Sequence, residues 1–260
     1  MCVWQGRGEV FKVKKILVID PLAEDPWYES DKNFYSEHSH KDFKVDFVCI
    51  DYGPRTSMGS GLIGLINQIF VVKKAMWAEQ QGYDAVIVNC FADPGVMTAR
   101  TMVRIPVVGP GEATLHVASM LGRRISILSP GDSSSYSKPG ESRVFDNLRF
   151  EIASNRHVGP ITDLQKDFEK TYKVILEKAR QCIEEDGAQV IVFGCTVMSF
   201  DRLAERLQKE LGIPVLDASS TALVVAELLL NKNVTHSLRA YPKPREVEVL
   251  LPNDPKLILE

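Results

Sequence analysis

The sequence predicts an α/β protein of two pseudo-symmetric lobes, each a short parallel sheet flanked by helices, with the active site between the lobes. Three observations carry that prediction. Short apolar runs bounded by turn residues alternate with helical patterns along most of the chain, as parallel sheets require. The segment Gly82-Tyr-Asp-Ala-Val-Ile-Val-Asn-Cys90 is echoed by Gly187-Ala-Gln-Val-Ile-Val-Phe-Gly-Cys195, with the cysteine eight residues after the glycine in both. Downstream, Ile105-Pro106-Val107 is echoed by Ile213-Pro214-Val215, and each is followed by an apolar helical pattern. A repeat of this length reads as two related half-molecules, each offering one thiol at the same structural place.

The elements follow in order. Residues 1–13 form a leader of uncertain structure. Lys15 to Asp20 reads as the first strand, ending in a turn at Pro21. Leu22 to Asp42 is a polar and aromatic excursion, a loop or a helix. Lys44 to Ile50 is the second strand, and Asp51 to Ser57 the loop at its carboxyl end. Apolar positions Ile63, Ile66, Phe70, Ala75 and Trp77 predict a helix over 63–80. Ala85 to Val88 is a buried strand that runs into Cys90. Asp93-Pro94 reads as a helix start, with Asp at the N-cap and Pro in the first turn. Val107-Val108 is a strand, and Gly111 opens a helix that ends near Gly122. In the second half, Arg124 to Leu128 and Arg149 to Ala153 are strands, with a Ser-rich loop at Ser133–Tyr136 between them. Asp167 to Asp186 is an amphipathic helix. Then come the Cys195 strand, a helix over Phe200–Leu211, the strand Val215-Leu216 and a helix over Thr221–Leu230. Val234 to Glu260 is a Pro-containing tail, expected on the surface. The chain is expected to cross between lobes near Pro110 and again near Asp217. The first lobe is then 14–110 plus 217–260, and the second is 111–216.

Composition narrows the function. The 260 residues are 45% apolar and 25% charged with a net charge of −3. That supports a sizeable core and leaves no basic footprint for nucleic acid. No apolar run approaches the ~20 residues that span a membrane. The five cysteines, Cys2, Cys49, Cys90, Cys182 and Cys195, are an odd number without metal-like pairing. Free thiols in a reducing cytoplasm are the expectation. His38, His40, His116, His157 and His236 show no metal spacing, and no Gly-Lys-Ser/Thr follows the glycines at 109 and 111. No cofactor is expected. The partners are expected to be a small-molecule substrate and further copies of the chain.

Two symmetry-related thiols suit one kind of chemistry. Inverting a carbon acid means removing a proton from one face and delivering one to the other. Thiols at strand-to-helix junctions can be tuned downward by a helix amino end, so that one is a base and the other an acid. Cys49, Cys182 and Cys2 read as small core residues instead. Asp93 reads as an N-cap rather than a catalytic carboxylate.

At these residues the sequence resembles the aspartate/glutamate/hydantoin racemase superfamily. Asn89-Cys-Phe-Ala-Asp-Pro-Gly95, Pro106-Val-Val-Gly-Pro-Gly-Glu-Ala113 and Thr235-His-Ser-Leu-Arg-Ala-Tyr-Pro242 are similar to its hydantoin and allantoin racemase branch. Gly194-Cys-Thr-Val-Met-Ser199 is compatible with either the hydantoin or the amino-acid branch. The resemblance implies that Cys90 and Cys195 are the acid/base pair. It implies a substrate loop at Gly53–Ser57 with Pro54, Thr56 and Ser57. It implies that backbone amides of Phe91, Ala92, Thr196 and Val197 hold substrate oxygens, and that Ser129 borders the site. The family often reads Asn-Pro-Asn-Thr in its first loop. Here Asp20-Pro21-Leu22-Ala23 stands instead, which removes an amide and a hydroxyl and adds a charge. The expected reaction is racemisation or epimerisation at a carbon next to a carbonyl, on a 5-substituted hydantoin or allantoin. An aspartate- or glutamate-type racemase, a lyase or cis–trans isomerase of the same superfamily, and a two-lobed binding protein without activity are the alternatives.

Overall fold

In a computed structural model, the described residues are 13–53, 62–131, 151–160, 167–200 and 202–244. The candidate loop residues Pro54, Thr56 and Ser57 and the Ser-rich stretch 133–136 lie outside them. Two four-stranded sheets, parallel throughout, form the scaffold. The first has β1 (Lys14–Asp20), β2 (Phe43–Cys49), β3 (Ala85–Val88) and β4 (Val107–Val108) in the order β2-β1-β3-β4. The second has β5 (Arg124–Ser129), β6 (Glu151–His157), β7 (Val190–Phe193) and β8 (Val215–Leu216) in the order β6-β5-β7-β8. The orders are identical, so the sequence repeat is a structural one.

The central strands are apolar on both faces because helices cover both faces. Every residue of β3 and of β7 is buried. On one side of the first sheet, α2 (Leu62–Gln80) and α3 (Val96–Met102) pack Val71, Ala75, Ala78, Val96 and Ala99 against Leu17, Ile19, Val86 and Val88. In the second half, α5 (Phe168–Glu184) and α6 (Leu203–Leu211) pack Ile175, Ala179, Leu203 and Leu207 against Leu128, Ile191 and Phe193.

The remaining faces are covered by helices that leave one sheet and pack on the other. After β4, α4 (Pro110–Leu121) lays Leu115 and Ala118 on Ile125, Ile127, Val190 and Val192 of the second sheet. After β8, α7 (Ala218–Asn231) lays Ala222, Leu223, Ala226 and Leu230 on Ile16, Val18, Ala85 and Ile87 of the first. Asp217 caps α7, accepting from the Ser220 amide at 2.8 Å, which starts the helix three residues before its apolar pattern does.

One open local reading is resolved and two expectations are corrected. The excursion after β1 contains α1 (Tyr28–His38), whose Tyr35 is buried against β1 and β2. Its polar surface hides the period. The Asp93-Pro94 pair does not start a helix: α3 begins at Val96, and Asp93 itself has φ 51°. The carboxylate turns instead to α4, where it accepts from the Gly111 amide at 2.9 Å and the Glu112 amide at 2.7 Å. It caps a helix eighteen residues downstream because those first-turn amides are otherwise orphans. Third, the chain after Cys195 makes a single 3-10 turn, Thr196–Met198, before α6 begins at Leu203.

The tail covers an edge. Beside the edge strand β4, the His236 Nε2 accepts from the Val107 amide at 2.7 Å and the Thr235 hydroxyl donates to the Arg104 carbonyl at 2.7 Å. This occupies backbone groups that an exposed edge would leave unpaired.

Candidate active site

The order β2-β1-β3-β4 places the change of winding direction between β1 and β3, and the second sheet places it between β5 and β7. Parallel sheets bind ligands outside the carboxyl ends of strands at such points. Cys90 follows β3 and Cys195 follows β7. Both are half-buried and free. The two ends are alike in detail. The Ala92 amide hydrogen-bonds the Cys90 sulfur, and the Val197 amide hydrogen-bonds the Cys195 sulfur. Each thiol is thus met by the backbone N–H two residues on. The halves also touch here: the Thr196 hydroxyl donates to the Asn89 carbonyl at 3.3 Å.

Close packing sets each turn. The Cys90 turn is tied by Cys90 N–H to the Val88 carbonyl at 2.7 Å and Asp93 N–H to the Cys90 carbonyl at 3.0 Å. A Cβ on Gly111 would collide with the Phe91 carbonyl oxygen, which explains a glycine in the first turn of α4. A Cβ on Gly194 would collide with the Ser129 hydroxyl. Ser129 is 2% exposed and seats the chain just ahead of Cys195. Among the other candidates, Phe91, Thr196 and Val197 are buried and Ala92 is exposed.

The electrostatics run against the expectation of a thiol tuned downward. Burial pushes the Cys195 thiol up to about 12, against the help of the Val197 amide, and Asp31, Asp20 and Asp25 push the same way. Burial pushes Cys90 higher still; Cys195, Asp93 and Asp20 add to it, and the Ala92 amide opposes. Helix ends do not rescue either sulfur. The turn after Cys90 delays α3 to Val96, and the turn after Cys195 delays α6 to Leu203. Both thiols are protonated at neutral pH in the resting site.

Behind the thiols lies a group of residues with no motif to announce it. Asn89 is 3% exposed. Its Nδ2 donates to Asp31 at 2.8 Å and to Asp20 at 3.1 Å, and its Oδ1 accepts from the Tyr35 hydroxyl at 2.9 Å. Asp20, Asp25 and Asp31 bring carboxylate oxygens within 4.8 Å of one another, which among the described residues is the grouping of metal-ligand type. Burial first, then repulsion by Asp25, lifts the Asp31 carboxyl to about 7 and lifts Asp20 well above its usual range. The Asp20-Pro21-Leu22-Ala23 loop joins this network, its Asp20 also accepting from the Leu22 amide at 2.9 Å. Asn89 stood inside a quoted motif. Tyr35 and Asp31 come from α1, whose role no spacing revealed.

On the Cys90 side the support reaches further. Asp93 is pushed up to about 7 by burial, against the two amides it caps. Glu112, beside it, pairs with the buried Arg100 at 2.5 Å. Arg100 in turn donates to the Val107 carbonyl and to the Tyr241 hydroxyl of the tail.

The Asp/Glu/hydantoin racemase family model matches residues 16–226. The chain belongs to that family. It is an isomerase, and among its relatives the racemases of cyclic ureides stand out. A hydantoin racemase from Rhizobium meliloti is 33% identical over 175 residues, covering 64% of this chain and 69% of the relative. A hydantoin racemase from Pseudomonas sp. (strain NS671) is 28% identical over 242 residues, covering 90% and 93%. The structure of an allantoin racemase from Klebsiella pneumoniae matches with a TM-score of 0.74 at 25% identity, over 89% of this chain and 95% of that one. Among the described residues no helix is long and apolar enough to cross a membrane.

Proposed function

We propose that this racemase inverts the carbon next to a carbonyl in a 5-substituted hydantoin or allantoin, with Cys90 and Cys195 exchanging protons on its two faces and no cofactor required. The observation that carries the reading is the matched pair of thiols. They follow equivalent strands of identically ordered sheets, and each is met by the amide two residues on. A cyclic ureide suits such a site because its ring carbonyl and amide acidify the hydrogen to be removed. As one thiolate abstracts that hydrogen, the opposite thiol delivers its own, and the two sulfurs end with roles reversed. The amides of Phe91, Ala92, Thr196 and Val197 hold the substrate oxygens that gain charge. Ala92 and Val197 also serve the sulfurs, so substrate and thiolate share those donors. Ser129 shapes the second wall, and the family resemblance assigns substrate contacts to Pro54, Thr56 and Ser57.

We assign the lobes as 14–110 plus 217–260 and 111–216, a division supported by the crossing of α4 and α7 between sheets. The chain acts in a reducing cytoplasm, consistent with free Cys49, Cys90, Cys182 and Cys195. It acts as a homo-oligomer; exposed Leu62, Leu65 and Ile69 along α2 support self-association, and light scattering tests it.

Polarimetry on single enantiomers of 5-methylhydantoin, allantoin, aspartate and glutamate, run in heavy water, tests the reading. Inversion of a ureide with one deuterium gained per inversion is expected, unchanged after dialysis against chelator. Inversion of aspartate or glutamate alone would move the protein to the amino-acid branch.

A further inference from the structure

The two thiol segments are joined by a network of hydrogen bonds. The Thr196 hydroxyl donates to the Asn89 carbonyl at 3.3 Å. The Thr196 carbonyl lies 3.5 Å from the Ser219 hydroxyl, the longest link. The Tyr35 hydroxyl donates to Asn89 Oδ1 at 2.9 Å and ties the network to α1. Asn89 immediately precedes Cys90, and Thr196 immediately follows Cys195.

All four members are at most 5% exposed. Buried polar groups this dry are costly to leave unpaired, so the network holds one geometry. It draws on the end of β3, the turn after β7, α7 and α1. No stretch of chain contains it, and it forms only when both sheets are assembled. It is also built from one side. Asn89 is pinned by Ile19, Asp20, Asp31 and Tyr35, whereas its counterpart ahead of Cys195 is Gly194, which has no side chain.

We infer that this network sets the span between the two sulfurs, and that Asn89, Thr196, Tyr35 and Ser219 are positioning residues for the inversion. The inference rests on the two-thiol reading. Inversion needs both sulfurs in place on opposite faces at once, whereas exchange on one face needs a single sulfur. A loosened span should therefore uncouple the two. Misplacement of about 1 Å can cost roughly 100-fold in a positioned reaction.

The test uses both enantiomers of 5-methylhydantoin in heavy water with four variants of the full chain. Thr196→Val removes the hydroxyl at constant shape. Its kcat for inversion should fall by about tenfold to 100-fold with KM changed less than about twofold. Deuterium gained without inversion should rise relative to inversion, and Thr196→Ser should restore both. Tyr35→Phe, further from the thiols, should give the same uncoupling to a smaller degree, and it stands in if Thr196→Val fails to fold. Cys90→Ser and Cys195→Ser are measured alongside. If either cysteine variant keeps near-wild-type turnover, the two-thiol reading fails and takes this inference with it. If both lose inversion while Thr196→Val and Tyr35→Phe keep the wild-type ratio of exchange to inversion, the network is structural only and the inference alone is overturned. A fall in thermal stability with that ratio unchanged overturns it equally.

Discussion

The segments Asn89-Cys90-Phe91-Ala92 and Gly194-Cys195-Thr196-Val197 end equivalent strands and present equivalent thiols, yet almost nothing behind the sulfurs is shared. Behind Cys90 stand Asn89, with its buried carboxyl and phenol partners, and Asp93, which caps a helix of the far half. Behind Cys195 the backbone presses on Ser129 without room for a Cβ, and Thr196 reaches across to Asn89. Symmetric chemistry asks only that two like groups face one carbon. It places no demand on how each is supported, and here one end is held by side-chain hydrogen bonds and the other by close backbone packing.

The comparison is tested most severely by the cysteines. Cys90→Ser and Cys195→Ser should each lower inversion by at least about 100-fold, because a hydroxyl replaces a positioned acid/base on one face. Each should still exchange the hydrogen of one enantiomer, and the two variants should choose opposite enantiomers. Measuring deuterium uptake separately on each enantiomer decides it. Exchange of the same enantiomer by both variants would mean that the thiols do not oppose each other.

The pH profile follows next. Both thiols are pushed upward by burial, so the resting pair is neutral and must lose one proton to work. For groups raised in this way the active, ionised form grows as pH rises. Between pH 6 and 9, kcat/KM should therefore climb, approaching about tenfold per unit. Alkylation of Cys90 and Cys195 by iodoacetamide, read by mass spectrometry, should rise over the same pH range. A flat profile would mean a thiolate already present at rest.

Smaller effects separate the two kinds of support. Gly194→Ala drives a methyl into the Ser129 hydroxyl and should destabilise by about 1–3 kcal/mol, as overpacking does. Ser129→Ala in the same chain should recover part of that loss, read from thermal midpoints. Last come the two helix caps. Asp93→Ala and Asp217→Ala each remove an N-cap and should cost about 0.5–2 kcal/mol. The stability losses should be alike, but only Asp93→Ala should also depress turnover, because Asp93 belongs to the Cys90 turn. Equal turnover in both variants would reduce Asp93 to a cap and nothing more.

The strands were legible because apolar runs such as Ala85–Val88 and Val190–Phe193 have only one place to go, inside a sheet covered on both faces. The long helices were legible from their periods and caps. Helix α1 was not, since only Asp31 and Tyr35 of its eleven residues are buried, too few to show a period. The Asp93-Pro94 pair misled because a capping carboxylate carries no mark of which helix it serves. Its nearest orphan amides in space belong to α4, not to the helix that follows it.

By itself the sequence determined the two-sheet architecture and the paired positions of the thiols. Both are consequences of local pattern repeated at equal spacing. Only the tertiary structure decided that both thiols rest protonated, that Asp93 caps across the molecule, and that Asn89, Tyr35, Ser219 and Thr196 share one hydrogen-bond network. Those properties depend on burial and on contacts between residues as far as 107 positions apart, Asn89 and Thr196. Desolvation and hydrogen-bond partnership exist only once the chain has closed on itself, and no spacing along the chain records them.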